Sequence, residues 1–203
     1  MKLIFATNNQ HKIAEIRAVL PPSFQIVTLK EAGIDIDIPE PHDTLEENAR
    51  EKAVTIRNLT GTDCFSEDTG LEVFSLHGEP GVRSARYAGD ESTAASNTVK
   101  LLQKLEGQDD RSAQFRTVIC LLLNGHEHFF EGICRGRVVA TEKGVGGFGY
   151  DPVFIPDGAD KTFGEMSREE KALYSHRRKA VDKLVLFLNQ TVGDLTNPEV
   201  VSP

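Results

Sequence analysis

The chain has 203 residues, enough for one domain with a sizeable core. Hydrophobic residues make up 39% and charged residues 27%, an ordinary balance for a soluble globular protein, and no apolar run approaches the roughly 20 residues a membrane span needs. The formal charge of −8 argues against a surface that tracks a nucleic-acid backbone, while a local basic pocket with a divalent cation can still hold a free nucleotide.

Met1 to Ala6 is an apolar run of strand length. It has no small-residue cleavage site and does not read as a signal peptide. It breaks at Thr7-Asn8-Asn9-Gln10-His11-Lys12 into the helical spacing of Ile13, Ile16, Val19 and Leu20. A strand that turns straight into a helix presents backbone N–H groups at the positive end of the helix dipole, where phosphate is attracted. Lys12 stands where that dipole disfavours a cation unless an anion is bound between them.

Gln25 to Thr28 reads as a second strand, followed by a Pro-bearing loop through Ile38-Pro39-Glu40-Pro41-His42-Asp43, in which Glu40 alone reads as a surface acid. Thr44 opens a helix with Glu47 as a capping box and Leu45, Ala49, Ala53 and Ile56 as its buried stripe. On that helix Lys52 fits a solvated face as well as a site. Cys64 to Ser66 is expected to form a short strand that ends in Glu67-Asp68-Thr69-Gly70. Adjacent acids at a strand end suit a hard cation such as Mg²⁺ or a general base, and equally a solvated turn. A Gly/Pro loop then runs from His77 to Gly89, and a helix from Ser92 to Leu105 stops at Gly107.

The second half is richer in strands. Ala113 to Leu123 is a long strand, Asn124-Gly125 a hairpin turn, Glu127 to Ile133 the return, and Gly136 to Ala140 continues the meander. Gly144 to Asp151 is a glycine-rich loop before the run Val153-Phe154-Ile155. Glycines around Phe148 let backbone approach a ligand while the ring offers a face, and the pattern is neither a Walker loop nor a Rossmann fingerprint. Ser167 with Glu170 forms another capping box. A final amphipathic helix covers about 175 to 189, with Ala180, Leu184, Leu186 and Phe187 inward, and residues 193–203 are a loose tail after a single domain of residues 1–192. Ser175 reads as an N-cap, and His176 and Arg177 place positive charge against the dipole, as an anion or a base edge would explain. Cys64, Cys120 and Cys134 are isolated, without a C-x-x-C pair, which favours a reducing cytoplasm. The expected class is α/β with a mixed sheet.

Five blocks in order carry a resemblance. They are Thr7-Asn8-Asn9-Gln10-His11-Lys12, Glu46-Glu47-Asn48-Ala49 through Lys52-Ala53, Ser66-Glu67-Asp68-Thr69-Gly70-Leu71, Gly147-Phe148-Gly149-Tyr150-Asp151-Pro152, and Ser175-His176-Arg177. With Pro80-Gly81-Val82 and Ser84-Ala85-Arg86-Tyr87-Ala88-Gly89, the chain resembles the inosine triphosphate pyrophosphatase (Ham1-like) family of non-canonical purine NTP pyrophosphatases from residue 1 to about 190. The resemblance implies an elongated α/β fold with a central mixed sheet, flanking helices and two lobes around a substrate cleft, usually as a homodimer. It implies Mg²⁺-dependent hydrolysis of ITP, dITP and XTP to the monophosphate and pyrophosphate, clearing deaminated purines from the nucleotide pool in the cytoplasm, with no nucleic-acid or membrane partner.

Residue by residue, Thr7, Asn8, Asn9, Gln10, His11 and Lys12 are expected to grip the triphosphate. Asp68 would be the proton acceptor and a Mg²⁺ ligand with Glu67 supporting, Glu40 a second metal ligand, and Lys52 a fixed positive charge. Thr69 and Lys171 would contact substrate, Phe148 would stack on the purine beside Gly149, Tyr150 and Asp151, and His176 and Arg177 would read the 6-oxo edge. Two departures stand out: Glu67-Asp68 where many bacterial members have two aspartates, and Pro41-His42-Asp43 in place of the usual Glu-Thr-Gly. A Maf-like pyrophosphatase of other modified nucleotides and a non-catalytic nucleotide sensor are the rival readings. The first has signatures unlike Ser175-His176-Arg177, and the second has no need of Glu40, Glu67 and Asp68.

Overall fold

A computed structural model describes residues 2–20 and 24–196. Its frame is one mixed sheet. β1 (Lys2–Phe5) lies between β2 (Gln25–Thr28) and β3 (Cys64–Val73), parallel to both. The two-residue β4 (Pro80–Gly81) pairs antiparallel with the far end of β3. On its other edge β3 pairs antiparallel with β5 (Ser112–Leu123), and β6 (His126–Val138) and β7 (Phe154–Pro156) follow, also antiparallel. Mixed parallel and antiparallel pairing and the flanking helices agree with the expected class.

Alternation along β3 places consecutive side chains on opposite faces. Phe65 joins Leu3, Phe5, Ile119 and Leu121 under α1 (Gln10–Arg17) and α5 (His176–Thr196). Cys64 joins Ile4, Cys120 and Leu122 under α2 (Leu45–Thr60), through its predicted stripe Ala49, Ala53 and Ile56. Further along, Leu71 and Val73 enter a third core with Ala113, Phe115, Tyr150, Phe154 and Phe163, which α3 (Ala94–Lys104) covers through Leu101 and its C-cap Leu105. α4 (Arg168–Tyr174) stands beside it, with Tyr174 packed on its border. β3 therefore crosses from one pair of cores to another, and its polar stretch from Ser66 to Gly70 lies at the crossing. On one edge β1 pairs with Cys64 and Phe65, and β4 with Leu71 and Glu72. Between them, among the described residues, no strand pairs with residues 66–70 on that edge, and this gap is where the sheet opens to a cleft.

Several expectations change. β3 does not stop at Ser66: it runs ten residues, so Glu67, Asp68, Thr69 and Gly70 are strand interior, held by continuous pairing with β5. β6 is one strand through Gly132 and Gly136, because both glycines mark close approach of backbone and not a turn. α3 starts at Ala94 under a Thr93/Ser96 capping box, later than Ser92. Thr44 caps α2, but the Glu47 carboxylate accepts from the Thr44 hydroxyl (2.8 Å), leaving a half capping box, while the Ser167/Glu170 box is complete. α5 continues to Thr196, so residues 193–196, expected in the tail, are helical, and residues 197–203 lie outside the described residues. Leu186 points outward at 60% exposure and Leu188 takes the inward position, as the helical turn dictates from Leu184.

Gly132 sets how closely α5 docks. A Cβ there would run into the His176 carbonyl oxygen and come within 2.6 Å of the Ala180 nitrogen, both backbone atoms. Gly132→Ala is expected to cost about 1–3 kcal/mol of stability as His176 and Arg177 are displaced. Thermal melts check this; unchanged melting would show that the helix simply moves away.

Candidate active site

A cleft of about 410 Å³ opens along the gap in β3, within the size range of small-molecule sites. Of the residues singled out by sequence, Thr7, Asn8, Asn9, Lys12, Glu40, Lys52, Asp68, Thr69, Phe148, Gly149, Tyr150, Asp151, Lys171, His176 and Arg177 line it. Glu67, Gln10 and His11 do not.

The strand-to-helix turn is tied internally. Asn9 is the N-cap of α1, its Oδ1 accepting from the N–H groups of His11 (3.0 Å) and Lys12 (3.2 Å), and its own N–H donates to Thr7 Oγ1 (3.2 Å). Asn8 donates its side-chain amide to the Ile36 carbonyl (3.1 Å), anchoring the loop beside it. Successive side chains at a helix start fan out by about 100° each. That is why the six side chains do not all face the cleft: Gln10 reaches back toward the Asn8 carbonyl (3.5 Å), and His11 turns to the ring of Phe148.

The anion that offsets Lys12 against the dipole is a side chain. Lys12 Nζ lies 2.8 Å from Glu67 Oε1. Glu67 is fully buried, and its other oxygen accepts from Arg177 Nε at 2.7 Å. Burial pushes this carboxyl's pKa up, but the charges of Arg177 and Lys12 more than reverse that and bring it down to about 2. Arg177, 2% exposed, also donates through Nη1 to Glu15 and through Nη2 to Thr69 Oγ1 (3.4 Å). The cations in the first turns of α1 and α5 are thus bridged by one strand carboxylate, with Glu15 supplying a second negative charge to Arg177.

Asp68, the next residue, faces α2, as strand alternation requires. The two adjacent acids, expected to serve one cation, point to opposite sides of the sheet. Asp68 Oδ1 accepts from Lys52 Nζ (3.1 Å), which also donates to Glu40 Oε1 (2.5 Å). Lys52 is not on a solvated face: it is 7% exposed, mid-helix, and the two carboxylates raise its pKa against the lowering effect of burial. Glu40 is no free surface acid either, since Arg86 donates to its Oε2 (3.1 Å) and to its backbone carbonyl (2.8 Å). The two acids are pushed apart. Burial raises the Glu40 pKa but Lys52, Lys12 and Arg86 outweigh it and hold Glu40 low. For Asp68 burial wins over Lys52 and Lys12, helped by the Glu40 charge, and the pKa rises. Asp68 Oδ2 is buried with no hydrogen-bond partner among the described residues.

The opposite wall is built by the glycine loop. Asp151 Oδ2 accepts from the Phe148 N–H (2.8 Å) and from Lys171 Nζ (2.8 Å), and Lys171 also meets Glu15 Oε1 (3.1 Å). Lys171 Nζ and Arg177 Cζ lie 5.0 and 5.6 Å from the Phe148 ring centroid. Tyr150 OH donates to the Ser84 carbonyl (2.9 Å), bracing the loop against the segment that carries Arg86. His176 stacks on Phe115 (4.8 Å between centroids) with Nδ1 buried and unpartnered among the described residues. Burial, then the charges of Arg177 and Lys171, push its pKa well below the ordinary histidine value, so the ring is neutral.

Sequence reading passed over Glu15 and Arg86. Glu15 binds both Lys171 and Arg177, and its carboxyl is held low by those cations against burial. Its one sequence signal is its placement a turn beyond Lys12. Arg86 lay within a recognised block but carried no chemistry until the fold set it against Glu40.

The chain matches the Ham1 family model over residues 3–187. It is 50% identical over 191 residues to a dITP/XTP pyrophosphatase of Flavobacterium johnsoniae, spanning 94% of this chain and 100% of the relative. It is also 50% identical over 188 residues to a dITP/XTP pyrophosphatase of Porphyromonas gingivalis, spanning 92% and 97%. The solved structure of the Staphylococcus aureus Ham1 protein superposes with a TM-score of 0.87 at 38% identity, covering 94% of this chain and 100% of that one. A buried carboxylate, a lysine clamp and an aromatic wall in one cleft, together with matches across nearly the whole chain, place it in the Ham1 family.

Proposed function

We propose that this chain hydrolyses ITP, dITP and XTP to the nucleoside monophosphate and pyrophosphate. The observation that carries the reading is the single cleft in which a buried carboxylate with a raised pKa, two lysines and a cation-flanked aromatic ring all meet. Lys12 and Lys52 supply fixed positive charge for a polyphosphate. Asp68 accepts a proton from the attacking water, a role that suits a carboxyl whose pKa burial raises. Glu67 holds Lys12 and Arg177 in place from the opposite face. Phe148 offers its face to the purine, and donors near it favour a 6-oxo acceptor over the 6-amino group of adenine, which would leave them unpaired.

The residues suit a hard divalent cation. Asp68, through Oδ1, and Glu40 share Lys52, and the Asp68 Oδ2 left without a partner and the Glu40 carboxylate are hard oxygen donors. Among the described residues no group of three or more His, Cys, Asp and Glu side chains is arranged for a metal. Mg²⁺, which is commonly held by one or two carboxylates plus substrate phosphates, matches so small a donor set. Bound there by Asp68 and Glu40, it would offset negative charge on the phosphates. The homodimer and the cytoplasmic setting belong to the same proposal, and a solution mass measurement tests the first. Among the described residues no helix is long and apolar enough to cross a membrane.

The test is a substrate panel. Purified protein is incubated with ITP, dITP, XTP, GTP and ATP, with Mg²⁺ and after chelation, and products are separated. Monophosphate plus pyrophosphate from the inosine and xanthine nucleotides, lost on chelation, is expected. Diphosphate plus phosphate, or no turnover, would overturn the reading.

A further inference from the structure

His11 follows the capping residues of the phosphate turn by two positions, yet its side chain leaves that turn. Its imidazole is stacked on the Phe148 ring, with centroids 5.0 Å apart and planes 16° apart. That separation is direct ring-to-ring contact, with no space for a purine between them. Phe148 lines the cleft with Lys171 and Arg177, and His11 does not. The ring sits between Gly147 (φ 74°) and Gly149 (φ 61°), so little local backbone restriction holds it. Its N–H is fixed by Asp151, which sets the backbone and leaves the ring torsions free.

We propose that His11 is a positioning residue that backs Phe148 from outside the cleft. The helix whose first turn meets the triphosphate then also steadies the platform on which the base stacks. This rests on the cleft being the site of a purine nucleoside triphosphate, and it removes His11 from the triphosphate contacts. An unbacked ring must be ordered when substrate binds, so loss of His11 weakens binding more than chemistry.

The experiment is a double-mutant cycle with His11→Ala, Phe148→Ala and the pair, plus His11→Phe, measuring kcat and KM for ITP at saturating Mg²⁺. His11→Ala is expected to raise KM about 2- to 10-fold, the range of one aromatic stack, with kcat within about twofold. His11→Phe restores KM, and in the Phe148→Ala background the His11 change adds nothing. An unchanged KM in His11→Ala, or the same increase persisting without Phe148, would overturn the inference, the latter returning His11 to the phosphates. Turnover of ITP by the unsubstituted protein is scored first, so failure of the functional reading is seen separately from failure of this one.

Discussion

Asp68→Asn lowers kcat for ITP by roughly 10²- to 10⁴-fold, the usual worth of a positioned acid–base group, while the protein melts within a few degrees of the parent. The substitution keeps shape and lets the side-chain oxygen still accept from Lys52, which lies 3.1 Å away. What it removes is basicity. Asp68 is only 4% exposed, and its free oxygen has no protein partner among the described residues. An amide there cannot take a proton from water, and it is a poorer ligand for a hard cation. A buried carboxylate with a raised pKa is a strained group, so neutralising it need not destabilise the fold. The pairing of large kinetic loss with small thermal change is the signature to look for. Turnover within about threefold of the parent would strip Asp68 of the role of base. A collapse in melting temperature would make it a structural acid.

The helices and their caps were legible because their signals are local. Leu45, Ala49, Ala53 and Ile56 recur at helical spacing and are all buried. Ser167 and Glu170 announce a capping box within four residues, and the structure contains it. Asn124-Gly125 announces a hairpin, and both residues take positive φ. The centre of the site was not legible in this way. Glu67-Asp68-Thr69-Gly70 has the composition of a turn, and local propensity reads it as one. It becomes strand interior because cations arrive from three helices: Lys12 in α1, Lys52 in α2 and Arg177 in α5, the last 110 residues away in sequence. No window along the chain contains that neutralisation. The same reasoning covers Gly132 and Gly136, which break a strand pattern locally but are demanded by α5 and β7 pressing on the sheet. The blocks of the family resemblance located the cleft residues. They could not say that adjacent acids face opposite sides of the sheet, that His11 leaves the phosphate turn, or that Arg86 holds Glu40.

Arg177→Met is expected to damage the fold before it alters selectivity. Arg177 is among the largest fully enclosed side chains, and each guanidinium nitrogen already donates to a protein oxygen. Removing it leaves Glu67 buried with Lys12 alone. Breaking a buried pair by deleting one partner costs about 3 kcal/mol or more. For a chain of this size that is a fall in Tm of roughly 6–12 °C. The loss also carries a pH signature. In the parent, Glu67 has a pKa of about 2 against an ordinary value of 4.5, so it contributes stability above 4.5 that disappears as pH falls toward 2. In the variant the carboxylate has lost its main cation, burial dominates, and protonation relieves the fold. The unfolded value is common to both proteins, so the gap in Tm is widest near pH 7 and narrows as pH falls through the variant's raised carboxyl pKa, above 4.5, toward the parent's value of about 2. Adding Glu67→Gln to Arg177→Met recovers part of the loss at neutral pH, because the uncompensated charge is gone. A gap that stays constant from pH 7 to pH 4, or a double variant no more stable than Arg177→Met, would show that Arg177 supports the fold by packing alone. A Tm unchanged in Arg177→Met would leave this arginine to the base edge, with Lys12 sufficient for Glu67.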